Sequence, residues 1–252
     1  MNSQRILITG ASGAIGRALS VAYARPGVEL ILHGRELSKL KHTATLCERQ
    51  GAAVSCLVFD LTQLDQILPW AQQVLNGGSI DILIANAGMN NSLGADGSQE
   101  AWPDVSRLID LNLKANMALV DSFLPVMRAR GKGQIALISS LAGYFGLPHT
   151  PTYCASKAGL KAYGESLRGW LSPEGIKVNV VMPGFVVSDM ENSMCGPKPF
   201  RWPPERAAQV IVRGLAKDKA RISFPFPLNL GTWFLAVLPP KVSIWILRWL
   251  GY

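Results

Sequence analysis

The opening twenty-odd residues restrict the fold more than any other stretch of the chain. Arg5-Ile-Leu-Ile-Thr9 is an apolar run, Gly10-Ala-Ser-Gly13-Ala14-Ile15-Gly16 is glycine-rich, and Arg17-Ala-Leu-Ser-Val-Ala-Tyr-Ala24 is amphipathic at helical spacing. A strand, a glycine turn and a helix in that order form the context in which a helix N-terminus offers free N–H groups to a pyrophosphate. Gly10 and Gly16 would serve the turn and the close backbone approach, with Gly13 between them. The spacing is Gly-x-x-Gly-x-x-Gly, one residue longer than the G-x-G-x-x-G of long-chain dehydrogenases, so this turn alone leaves nucleotide binding open.

The rest of the chain alternates short apolar runs with longer amphipathic ones, the pattern of parallel strands joined by crossover helices. Strands are expected at 4–9, 28–33, 53–59, 80–85, 133–139, 176–182 and 220–224, and helices at 14–25, 36–50, 63–76, 103–130, 152–171 and 204–217. The expected architecture is a single α/β domain with a doubly wound parallel sheet of about seven strands and helices on both faces. With 252 residues, 48% of them apolar, one core is within reach, and no linker, repeat or low-complexity tract divides the chain.

Chemistry enters through Tyr153-Cys-Ala-Ser-Lys157, preceded thirteen residues upstream by Ser140. Residues i and i+4 share a helix face, so an ammonium can stand near a phenol. Nearby positive charge favours phenolate and would lower a phenol from its reference value of about 10, making Tyr153 an acid/base. A Tyr-x-x-x-Lys pair by itself is more often an aromatic packing residue beside a solvated lysine. The glycine turn at the other end of the chain reverses that balance.

Together these signals resemble the short-chain dehydrogenase/reductase family, in its branch of about 250-residue enzymes. Thr9 to Gly16 resembles the family's T-G-x-x-x-[A/G]-x-G turn, with Ala14 a tolerated variant of its third glycine. Asn86-Ala87-Gly88 resembles N-A-G, Ser140, Tyr153 and Lys157 the catalytic trio, and Asn112 the fourth catalytic position. Pro183-Gly184 with Ser188 resembles P-G-x-x-x-T, serine replacing threonine.

The resemblance implies a Rossmann fold and hydride exchange between a nicotinamide and a carbonyl or alcohol. It implies that Tyr153 passes the proton, that Ser140 donates to the substrate oxygen, and that Lys157 lowers the phenol and binds the nicotinamide ribose. Asn112 is implied to hold a relay water. Ser139 is the competing serine, and the thirteen-residue offset favours Ser140. The cofactor is implied to lie against Gly10, Ser12, Gly13, Ala14, Ile15 and Gly16, then Asp60 and Leu61 at the adenine, Asn86 to Gly88, Tyr153 and Lys157. Pro183, Gly184, Val186 and Ser188 complete the expected set.

Cofactor choice depends on Arg35, directly after the second strand. A carboxylate there would repel a 2′-phosphate, whereas a guanidinium can pair with it, so NADP is expected over NAD. The rival reading is an arginine that merely solvates a turn. The family's other common basic position, inside the glycine turn, is Gly13 here.

The segment from about 189 to 204 is expected to cover the substrate as a lid, with Met190, Met194, Phe200 and Trp202 as an apolar wall. A lipophilic carbonyl or alcohol follows from that wall. The alternatives are a sugar or nucleotide-linked substrate, or a non-catalytic NADP sensor or scaffold. Cys47, Cys56, Cys154 and Cys195 lack metal or disulfide spacing, and His33, His42 and His149 do not cluster, so no metal is expected. His149 could line the cleft, but an exposed loop position is the expected one.

Residues 225–252 form an apolar extension with three tryptophans, Lys241 and Arg248, interrupted by prolines and too short for a spanning helix. It is expected to pack on the cleft or a sister subunit in a homodimer or homotetramer, or to lie in a membrane interface, where a net charge of +8 adds attraction to anionic lipid. No basic helix or stacking motif supports nucleic acid. The first strand begins within five residues of Met1, leaving no room for a signal peptide, so a cytoplasmic location is expected.

Overall fold

The computed structural model describes residues 4–93, 98–194 and 196–252. In chain order the first half holds β1 (Gln4–Ile8), α1 (Ala14–Tyr23), β2 (Val28–Gly34), α2 (Leu37–Glu48), β3 (Ala53–Val58), α3 (Ile67–Asn76), β4 (Ile82–Ala85) and α4 (Trp102–Ile109). The second holds α5 (Ala115–Ala129), β5 (Gly133–Ile138), α6 (Pro151–Leu171), β6 (Ile176–Pro183), α7 (Asp189–Asn192), α8 (Pro204–Ala216), β7 (Arg221–Phe224), α9 (Leu228–Val237) and α10 (Pro240–Trp249).

The strands form one parallel sheet in the order β3-β2-β1-β4-β5-β6-β7. Successive side chains of a strand point to opposite faces, and both faces of this sheet are covered, which is why its strands read as unbroken apolar runs. Ile6, Ile8, Leu30 and Leu32 pack with α1, α2 and α8, while Leu7, Ile31, Leu83 and Leu137 pack with α3, α5 and α6. The order reverses between β1 and β4, and a crevice opens outside their carboxyl ends, where open α/β sheets bind ligands.

Three features depart from the expected elements. The helix expected over 103–130 is broken by a π-helical turn at Asp110–Lys114, between α4 and α5. A short helix, α7, opens the segment after β6, with the Ser188 hydroxyl accepting from the Glu191 N–H at 3.0 Å as its cap. The tail, beyond the last expected helix, is a helical hairpin. Ser243, fully buried in α10, donates to the Leu235 carbonyl of α9 at 2.8 Å, and Leu228 packs on Leu141, Val180 and Met182 at the end of the sheet. The Tyr252 hydroxyl donates to the Pro197 carbonyl at 2.6 Å, fastening the chain end to the segment that follows α7. No helix among the described residues is long and apolar enough to cross a membrane.

Candidate active site

The crevice between β1 and β4 is held by Thr9 and Asn86. The Thr9 hydroxyl accepts from the Asn86 and Ala87 N–H groups at 2.9 and 3.0 Å, and Asn86 Nδ2 donates back to the Thr9 and Gly10 carbonyls at 2.9 and 3.2 Å. Gly10 has φ +64°, and a Cβ there would stand 3.0 Å from Ala87 Cα. At Gly16 a Cβ would stand 2.2 Å from the Gly10 carbonyl oxygen, so the turn closes only on glycine. The first intrahelical bond runs from Arg17 N–H to the Gly13 carbonyl at 2.8 Å, which leaves the N–H groups of Ala14, Ile15 and Gly16 ahead of it at the mouth of α1. Its first turn has no acidic residue. This is a cradle suited to an anion.

A cavity of about 730 Å³ runs from this cradle past the candidate acid/base residues to the tail hairpin. Its wall includes every residue proposed above for the cofactor, from Gly10, Ser12 and Arg35 through Asp60, Leu61 and Asn86 to Gly184, Val186 and Ser188. Arg35 is exposed immediately beyond β2. Its neighbour Glu36 turns away to Lys39, at 2.8 Å, and does not line the cavity. Burial acts to raise the Asp60 carboxyl, but hydrogen bonds from the Thr62 N–H and hydroxyl and the charges of Arg35 and Arg107 hold it below its ordinary value. His33 is a core histidine: burial lowers it to about 4, its Nε2 lies 3.0 Å from the Phe59 carbonyl, and its ring meets Trp70 edge-on.

Ser140, Tyr153 and Lys157 come together on one wall of the cavity. Ser140 caps the turn after β5, accepting from the Ala142 N–H at 3.1 Å, and its hydroxyl acts to lower the Tyr153 phenol. Ser139 is a structural residue, donating to the Lys157 carbonyl at 2.7 Å and thereby tying β5 to α6. Lys157 is buried, its Nζ donating to the Ile138 carbonyl at 2.9 Å and standing 5.7 Å from the centre of the Tyr153 ring. The two side chains do share a helix face.

The expected electrostatic effect of one on the other is corrected by the structure. Burial pushes the Tyr153 phenol up to about 12, offset in part by Ser140, and pushes the Lys157 amine down to about 8. Desolvation, which comes with packing both groups against the core, is the largest influence on each.

Asn112 does not reach the cavity wall. It is fully buried, its Oδ1 accepting from the Met89 N–H and its Nδ2 donating to the Met89 carbonyl, both at 2.8 Å, with Ser156 Oγ 3.2 Å away. The side chain thus clamps the loop after β4 to α6. Gly88 makes that clamp possible, since a Cβ there would stand 3.1 Å from Asn112 Oδ1 and 3.5 Å from Lys157 Nζ.

Two residues that sequence reasoning missed complete the arrangement. Asn116 donates to the Asn112 and Leu111 carbonyls at 2.9 and 3.2 Å, satisfying groups that the π turn frees. Ser156 donates to the Tyr153 carbonyl at 2.7 Å. Asn116 lies four residues after Asn112, a spacing that could have signalled it.

Other expectations change in detail. His149 lines the cavity instead of sitting exposed on its loop, and Met190 and Met194 line it as expected. Phe200 and Trp202 do not: Phe200 is exposed, and Trp202 stacks on Phe224 at 5.2 Å under the Arg206 guanidinium. In their place the tail supplies Leu228, Leu235, Ile246, Leu247 and Tyr252. Cys195 lies outside the described residues.

Comparison with known proteins agrees with this geometry. Residues 4–196 match the short chain dehydrogenase family. An uncharacterized oxidoreductase of Myxococcus xanthus is 33% identical over 240 residues, covering 95% of this chain and 94% of its own. Epidermal retinol dehydrogenase 2 of Mus musculus is 30% identical over 263 residues, covering 98% and 82%. Among solved structures, a short-chain dehydrogenase from Sphingobium yanoikuyae in complex with NADPH superposes with a TM-score of 0.81 at 29% identity, covering 89% of each chain. The glycine cradle, the Ser140, Tyr153 and Lys157 wall and these similarities make the chain a member of the short-chain dehydrogenase/reductase family of oxidoreductases.

Proposed function

We propose that this oxidoreductase uses NADP to interconvert a lipophilic carbonyl compound and its alcohol. The observation that carries the reading is the convergence of Ser140, Tyr153 and Lys157 on a cavity continuous with the glycine cradle. When bound, the nicotinamide supplies or accepts the hydride. Tyr153 passes the proton to or from the substrate oxygen, and Ser140 donates a hydrogen bond to that oxygen as charge develops on it. Lys157 holds the nicotinamide ribose and places positive charge behind the phenol. Asn112 is a positioning residue that fixes the loop of Gly88 beside Lys157.

The cradle residues from Gly10 to Gly16 hold the pyrophosphate, Asp60 and Leu61 border the adenine, and Arg35 pairs with the 2′-phosphate. The NADPH named with the Sphingobium structure supports the coenzyme, as does the absence of a carboxylate at position 35. The segment 189–204 acts as a substrate lid and residues 225–252 as an apolar wall, joined by the contact of Tyr252 with Pro197. Leu147, Met194, Leu228, Leu235 and Leu247 give the far end of the cavity few partners for sugar hydroxyls, which favours a lipophilic substrate over a sugar or nucleotide-linked one. The retinol in the mouse relative's name points the same way. Assembly into a homodimer or homotetramer would give Trp102 and Trp170, exposed on α4 and α6 away from the cavity wall, a surface to pack on.

Two measurements bear on these roles. Reduction of a panel of ketones, followed by NADPH absorbance, should find turnover, and Arg35→Asp should raise the NADPH KM roughly 30- to 150-fold, the loss of about 2–3 kcal/mol from a charged hydrogen-bonded pair. NADH should be little affected, and equal losses for both coenzymes would refute the role of Arg35. The pH profile of kcat/KM reports the free enzyme. Lys157 is charged below about pH 8 and neutral above it, so the ammonium's hold on the nicotinamide ribose is present below that value and lost above it, and kcat/KM for reduction should decline on the alkaline side. A profile flat to pH 9.5 would remove the ammonium from the mechanism.

A further inference from the structure

The hairpin of α9 and α10 has two apolar faces, and only the inner one is accounted for by the cavity. On the outer face of α9, Leu230, Trp233, Phe234 and Val237 are exposed at spacings of three and four, one stripe of a helix. On α10, Val242, Trp245 and Trp249 form a second exposed stripe, Trp245 at 67% and Trp249 at 76%. Lys241 and Arg248 are exposed beside it. From Lys219 to Tyr252 the sequence contains no aspartate or glutamate. Phe234 and Leu250 belong to both faces, being about half exposed while also lining the substrate cavity. The cavity therefore reaches the surface through the apolar face itself.

Resting on the lipophilic-carbonyl reading, we infer that this face docks on an anionic lipid bilayer and that substrate dissolved in the bilayer enters between Phe234 and Leu250. Tryptophans at the rim of an apolar surface with flanking cations suit the interface between acyl chains and headgroups. Charge decides between lipid and a second copy of the chain. A two-fold pairing would bring Lys241 and Arg248 of both copies onto one apolar surface with no carboxylate from this segment to neutralise them. Anionic headgroups supply that neutralisation. Each hairpin helix is ten residues long, enough to lie in the interface and too short to cross it.

The test is flotation of the full-length protein with phosphatidylcholine vesicles, with and without phosphatidylglycerol. Binding should require the anionic lipid, and Lys241→Ser with Arg248→Ser should lower partitioning roughly thirtyfold. Trp245→Ser with Trp249→Ser should also release the protein. Neither tryptophan lines the cavity, so NADPH-linked turnover of a water-soluble ketone should stay at the wild-type rate, while turnover of a ketone dissolved in the vesicles falls with binding. Wild-type protein that stays unbound on both vesicle types overturns the inference. So does light scattering that shows the tryptophan variant dissociating a dimer, which would assign the face to a second copy. Vesicle binding without turnover of any ketone would instead sink the catalytic reading and leave the docking intact.

Discussion

Tyr153→Phe is expected to lower kcat for ketone reduction by about 10³- to 10⁴-fold while leaving NADPH affinity within about threefold of the wild type. The size follows from the contribution of a positioned acid, in its upper range because the site is buried. The fold should survive, since the aromatic ring keeps its packing against Leu108, Ala142 and Cys154. A second proton source stands nearby. Lys157, lowered to about 8, titrates much closer to neutral pH than a phenol raised to about 12. If the amine itself delivered the proton, Tyr153→Phe would retain most of its activity, and single-turnover rates with saturating NADPH would show it.

Geometry favours the phenol. Lys157 Nζ donates to the Ile138 carbonyl, while Ser140 and Tyr153 line the cavity together. A phenol at about 12 is fully protonated at pH 7, the state needed to protonate an alkoxide forming on the substrate. Reduction therefore requires no prior lowering of Tyr153. Oxidation requires phenolate, and depends on the charge of Lys157 far more. Lys157→Met should therefore lower kcat for oxidation more than kcat for reduction.

The sheet was legible because parallel strands covered on both faces are written as short, wholly apolar runs, and Ile6-Leu-Ile8, Leu30-Ile-Leu32 and Ile82-Leu-Ile84 are such runs. The placement of Tyr153 and Lys157 on one face of α6 was legible because four residues make about one helical turn. What sequence could not convey is depth: nothing in Tyr-x-x-x-Lys says that both groups lose their hydration, and that loss reverses the expected direction for the phenol. The π turn escaped because Asp110-Leu-Asn-Leu-Lys114 has ordinary helical composition, and only the amide of Asn116 reveals the freed carbonyls. The tail helices were hidden by their prolines, which read as interruptions. Pro239 and Pro240 instead sit at the start of α10, where a missing N–H costs nothing and the fixed φ is already helical.

Gly16→Ala should have the second large effect, and Gly13→Ala should have almost none. The two glycines look equivalent in Gly10-x-x-Gly13-x-x-Gly16. A Cβ on Gly13 would meet only the Gly10 carbonyl, at 3.4 Å, an ordinary contact, and Gly13 has φ −76°, open to any residue. On Gly16 the same atom would stand 2.2 Å from that oxygen, 2.8 Å from its carbon and 2.9 Å from Ala11 Cα. All three are backbone atoms of a turn already pinned by Asn86 and Thr9, so none can yield as a side-chain end would. Overpacking against a fixed backbone costs up to about 3 kcal/mol, which in a domain of this size is a fall in Tm of roughly 6–12 °C. Cofactor affinity should fall further than stability does, because relieving the clash displaces the N–H groups of Ala14 and Ile15 from the pyrophosphate position. Thermal denaturation with and without NADPH separates the two effects: the coenzyme should raise the Tm of wild type and Gly13→Ala alike, and leave that of Gly16→Ala unmoved. A normal NADPH-induced rise in Gly16→Ala would show that the phosphates are held elsewhere than at the mouth of α1.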